Sequence, residues 1–164
     1  MIQSTGVFLD TSGFTAMFVV KYRDRMRDGI LKLRDVGEAG EAEDLPILKE
    51  WKTARALLAR YRAAGEPILN GEKVLLGKVW LETLPGQCGT PWTLEEDDYA
   101  MAHIRTRICL LPAPNAFSHS GGDRVLLGVG VVNVVEHRIL HSETNLSTHP
   151  RTHLIVDVKR PDEG

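Results

Sequence analysis

Apolar residues fall in short runs along the chain, and their spacing shifts between strand-like and helical. The run GVFLD at residues 6–10 predicts a buried parallel strand ending in an acid. Thr11, Ser12 and Gly13 suit a turn and an N-cap, so the apolar residues 14–20 are expected to continue as a helix. Met26, Ile30, Leu31 and Leu33 recur at roughly helical spacing within a segment rich in Lys and Arg. Leu48, Trp51, Leu57, Leu58 and Tyr61 give the clearest helix, over 45–64, with Gly65 as its C-cap. Residues 67–69 form a short strand candidate, and Asn70 is placed to cap a helix over 71–84.

The second half reads in the same way. Thr93 opens a Thr-Leu-Glu-Glu capping box, which predicts a helix over 94–108, and Pro112 and Pro114 end regular structure. The valine-rich residues 125–135 are long enough for a helix capped by Asp123, with His137 and Arg138 at its C-terminal end. Residues 139–140 make a short strand leading into 141–143, and 154–158 form the last strand. The polar residues 159–164 are expected to fray, and 35–44, almost devoid of apolar side chains, to form an exposed acidic loop. Alternating strands and helices favour an α/β fold, a three-layer α/β/α domain with a central mainly parallel sheet. Its site would lie beyond the C-terminal ends of the strands.

The 164 residues match one domain over 1–164, with 43% apolar and 26% charged side chains. A net charge of -2 supplies no global attraction for nucleic acid or anionic lipid. Cys88 and Cys109 stand alone, so neither a zinc ribbon nor a disulfide framework is expected. No HxxxH pair sits on a convincing helix, and Cys109 has no recognisable histidine partner for a nucleophilic role. The first residues lack a secretory pattern and no apolar run is long enough for a bilayer, so a cytoplasmic protein without membrane association is expected.

Three acids stand where chemistry is expected: Asp10 after the first strand, Asp123 at a helix start and Glu143 after a late strand. Hard divalent cations take such oxygen ligands, and clustered carboxylates repel one another without a cation. Each acid also has a plainer role, with Asp123 as an N-cap and Glu143 as a solvated loop acid. Lys21, Arg23, Arg25, Arg27, Lys32 and Arg34 could hold phosphates, but interleaved acids make a salt-bridged surface equally consistent.

In their order, VFLDTS at 7–12, GEPILN at 65–70 followed by VLLGKV at 74–79, GDRVLL at 122–127 and ILHSE at 139–143 resemble the PIN-domain ribonucleases, VapC-like toxins among them. The resemblance implies a metal-dependent endoribonuclease and hydrolase, the toxin of a toxin–antitoxin pair. Asp10, Asp123 and Glu143 would hold Mg2+ or Mn2+, Ser12 would orient Asp10, and RNA, an antitoxin or a second copy would be partners. Lys78 stands where the family has a glutamate, which implies as the alternative a catalytically impaired scaffold binding RNA or protein. FLDTSGFT at 8–15 is also similar to the first metal-binding strand of class III nucleotide cyclases, but Gly122-Asp123 comes too late for that fold's second acid.

Overall fold

Alternation of side chains, not a helical repeat, governs the second half of the chain. In the segment HIRTRICLL, Ile104, Thr106, Ile108 and Leu110 fall on one side of an extended backbone and Arg105, Arg107 and Cys109 on the other. The computed structural model describes residues 1–8, 30–34 and 76–159. In chain order these hold β1 (Ile2–Phe8), β2 (Ile30–Arg34), β3 (Leu76–Leu84), β4 (Cys88–Gly89) and a short helix, α1 (Asp98–Ala102). They are followed by β5 (His103–Leu111), β6 (Ala116–Ser120), β7 (Asp123–Val125), β8 (Val131–Val135), β9 (His141–Asn145) and β10 (Arg151–Lys159).

The strands form two sheets, one in the order β1-β8-β5-β10-β3-β2 and the other in the order β4-β9-β6-β7. Every pairing between these strands is antiparallel. Glu143 of β9 bonds Arg107 of β5 and Arg151 of β10, so the sheets face each other across a shared interior. That is a jelly-roll arrangement. Both faces of β10 are buried, Leu154 and Val156 on one and His153, Ile155 and Asp157 on the other. Leu81 and Ile108 join the first face, and each such aliphatic side chain contributes about 1.5–3 kcal/mol by leaving water.

The expected three-layer α/β/α domain with a parallel sheet is therefore corrected. Residues 76–84 are strand rather than helix: Leu81 and Leu84, three apart, lie on opposite faces of β3, so their helical spacing is accidental. The helix expected over 94–108 shrinks to α1, capped by Asp97, whose carboxylate accepts from the Ala100 N–H at 2.7 Å. Thr93 caps nothing and instead bridges His141 through paired backbone bonds of 3.1 and 2.9 Å. The helix expected over 125–135 is broken by Gly130 at φ 78°, and the β-branched VVNVV that follows is β8. Gly121 at φ 59° and Gly122 make the tight β6–β7 hairpin that places Asp123 on a strand. Residues 154–158 are strand, inside the longer β10 and antiparallel to both neighbours. Ile30–Arg34, expected to carry helical spacing, is the strand β2, outermost beside β3 among the described residues. The expectations for residues 9–29, 35–75 and 160–164 lie outside the described residues. Among the described residues no helix is long and apolar enough to cross a membrane.

Candidate functional site

The period of two along β3, β5, β9 and β10 sends Glu82, Arg107, Glu143 and Asp157 into the interior, with Ile155 among them, and Leu81, Ile108, Leu154 and Val156 to the other face of the large sheet. Glu82 on β3 lies opposite His153 on β10, and Arg107 on β5 lies opposite Ile155. A register shift between Thr152 and His153 breaks the β10–β5 ladder beside this level. On the facing sheet Ser118 and Glu143 are direct partners.

These residues build one closed set of ion pairs. Arg107 reaches Glu82 through Nη1 at 3.0 Å and Glu143 through Nε at 3.1 Å. Arg151 donates from Nη2 to Glu82 at 2.9 Å and from Nη1 to Glu143. Ser118 Oγ donates to Glu143 at 2.7 Å, and Arg107 Nη1 lies 3.3 Å from His153 Nδ1. Arg151 is 2% exposed and Glu143 4%, while the Nε of Arg151 has no hydrogen-bond partner among the described residues. Two guanidiniums face two carboxylates, so the charges cancel.

The electrostatics follow from burial and proximity. Burial by itself would raise the Glu82 carboxyl, but attraction and hydrogen bonds from Arg107 and Arg151 together hold it below its usual range. Burial, with both guanidiniums adding to it, holds His153 well below its ordinary value, so it stays a neutral acceptor. Burial pushes the Cys109 thiol up to about 11, which makes it an inert core thiol rather than a nucleophile.

A second level lies further along the same strands. Arg105 forks onto Asp157, with Nε and Nη2 at 2.9 and 3.0 Å, and its Nη1 bonds Glu95 at 2.8 Å. The guanidinium also lies 4.7 Å over the Trp80 ring. Tyr99 of α1 donates to Asp157 at 2.9 Å and accepts from the Lys78 N–H at 2.7 Å, tying the helix to β10 and β3. A β-carbon at Gly77 would lie 2.5 Å from the Tyr99 hydroxyl, so this approach requires glycine. Tyr99→Phe is expected to cost about 1–2 kcal/mol in urea unfolding, because it removes one bond and strands the Lys78 N–H.

The sequence-derived site residues separate in the structure. Asp10 and Ser12 lie outside the described residues. Asp123 is exposed on β7, where its carboxylate accepts from the Ile2 N–H at 2.9 Å. Glu143 is buried within the ion pairs, and β6 runs between the strands that carry these two acids. Lys78 is on β3, its ammonium 4.6 Å over the Tyr99 ring. Sequence reasoning missed Arg105, Arg107, Arg151, His153 and Asp157, although the alternating I-R-T-R-I of β5 carried the signal. His141 opens β9, with Nδ1 2.9 Å from the Ile139 carbonyl, and its Nε2 has no hydrogen-bond partner among the described residues.

No family model matches the chain, and no curated protein matches it. Solved structures do. AviO1 from Streptomyces viridochromogenes Tue57 is similar at a TM-score of 0.65 and 15% identity, over 98% of this chain and 90% of that one. The viral collagen prolyl hydroxylase vCPH of Paramecium Bursaria Chlorella virus-1, solved with 2-oxoglutarate (2OG), has a TM-score of 0.64 and 8% identity over 98% and 96%. The non-heme alpha-ketoglutarate-dependent epimerase SnoN from nogalamycin biosynthesis gives 0.62 and 15% over 98% and 78%. Such antiparallel barrels overturn the PIN-domain resemblance, because a PIN domain is built on a parallel sheet. With it go the toxin–antitoxin ribonuclease and hydrolase reading, its impaired-scaffold alternative and the Mg2+ or Mn2+ site. The chain shares the jelly-roll fold of those structures.

Proposed function

We propose that this chain is an oxygenase-type jelly roll that binds a partner molecule through exposed apolar side chains and does not activate oxygen through its described interior. One observation carries this. Each buried guanidinium among the described residues, on Arg105, Arg107 and Arg151, is already bonded to an internal carboxylate. A dicarboxylate such as 2OG needs an unneutralised cation when it leaves water, and these are taken. Non-heme iron of the oxygenase type takes two histidines and a carboxylate with open positions. Among the described residues no group of three or more His, Cys, Asp and Glu is placed to hold a metal ion. The described residues therefore do not fit the iron and 2OG that the fold implies.

What the described surface does offer is exposed apolar side chains. Trp92 and Leu94 flank Thr93 where it bridges His141, and Ile139 and Leu140 lead into His141; all four are exposed. Exposed apolar side chains set beside one bridge suit an interaction surface. An active non-heme oxygenase is the second reading, favoured by the Nε2 of His141 and by the neighbours' chemistry. It requires further ligands from outside the described residues.

Anaerobic titration with Fe(II) and 2OG, followed by exposure to oxygen, separates the two. The expected result is no metal-dependent binding of 2OG and no succinate above the protein-free level. Iron-dependent succinate formation that His141→Ala abolishes would establish the oxygenase instead.

A further inference from the structure

The interior ion pairs have the composition of an occupied anion site. Glu143 receives three donors, Arg107 Nε at 3.1 Å, Arg151 Nη1 and Ser118 Oγ at 2.7 Å, the set a bound carboxylate would use. Its two oxygens are divided between the two guanidiniums, Oε1 toward Arg107 and Oε2 toward Arg151. Serine adds a neutral donor from the facing strand, and among the described residues Arg151 keeps an unpartnered Nε in a wholly buried setting. Nothing in this geometry needs the carboxylate to belong to the chain; it needs a carboxylate.

We infer that Arg107, Arg151 and Ser118 form a carboxylate-binding site that the protein fills with its own Glu143. The inference rests on the proposed loss of 2OG binding and gives it a physical cause: the chain's own side chain holds the position that a soluble carboxylate would need. Charge decides the matter. With Glu143 present the four ionised groups sum to zero, so a second carboxylate would enter with no partner. Without it, one guanidinium charge is left unbalanced in a buried setting, and a small carboxylate from solution restores both the charge and the hydrogen bonds.

The test is rescue of Glu143→Ala by acetate, read as thermal stability against sodium chloride at equal ionic strength. Glu143→Ala is expected to melt lower than the wild type and to recover by about 5–10 °C at a hundredfold excess of acetate over its Kd. Wild type should show no response beyond the chloride control. Should Glu143→Ala fail to fold in chloride, recovery of folding on refolding into acetate is the same positive result. The double variant Glu143→Ala/Arg107→Met removes one charge of each sign, and it should fold without acetate and ignore it. Equal responses in acetate and chloride, or an acetate response of the wild type as large as the variant's, would overturn the inference. Iron-dependent 2OG turnover by the wild type is a separate result, which sinks the proposed function whatever Glu143→Ala does.

Discussion

Arg151→Met is expected to lower stability by about 3–5 kcal/mol, since deleting one member of a buried ion set leaves its partners charged and unpaired. For a chain of this size the melting temperature should fall by about 6–20 °C. Methionine occupies similar volume, so the loss reports charge rather than a cavity. Arg151 bonds Glu82 and Glu143 together, and Arg107 cannot neutralise both acids by itself. Urea unfolding at constant m-value measures the loss. Arg151→Met/Glu143→Leu should cost much less than the sum of its single changes, because the remaining Arg107 and Glu82 still pair. A loss below about 1 kcal/mol for Arg151→Met would mean that water enters the interior and solvates the acids.

Acidification from about pH 6.5 should destabilise the protein well before its acids titrate. The folded His153 is held well below its ordinary value of 6.5 by burial and by Arg151 and Arg107, while Glu82 faces it from β3 and Cys109 from β5. Below about pH 6.5 the unfolded histidine takes up a proton that the folded one refuses. The unfolded state then binds more protons, and stability falls by about 1.4 kcal/mol per pH unit. Buried His137, shifted the same way by burial and by Arg105, adds to the slope. Glu82, whose folded pKa is depressed from 4.5, contributes stability that persists above that value and is lost only at lower pH. His153→Gln keeps an acceptor toward Arg107 without the titration, so its stability between pH 6.5 and 5 should fall less steeply than that of the wild type. Identical slopes in the two proteins would assign the pH dependence to His137 and other groups.

How much of this was legible in the sequence depended on which face of a strand carried the charges. The strand over 154–158 was plain from LIVDV, because Leu154, Val156 and Ile155 fill both faces of a central strand. The ladder in β5 was equally visible as I-R-T-R-I, but Thr93-Leu-Glu-Glu just before it imitated a helix start. The strand was expected at 139–140 and falls instead at 141–145, HSETN, where Glu143 read as a solvated loop acid because charged and hydroxyl side chains seldom point inward. Here that inward row is the interior itself: Glu143 is buried only because Arg107 and Arg151, on strands far off in sequence, cancel its charge. No local window contains that pairing, so an acid that looked like a loop residue or a metal ligand turned out to be a buried counter-ion.

The place of β10 in the larger sheet bears on how the molecule is made. It lies between β3 and β5, with β2 and β8 beyond them. A ribosome must therefore synthesise through residue 159 before either neighbour can pair on the side that β10 fills, and until then both present an open edge there. Until β10 emerges the two parts of the larger sheet are exposed to mispairing, so closure of that sheet waits on β10 and gains from chaperone shelter.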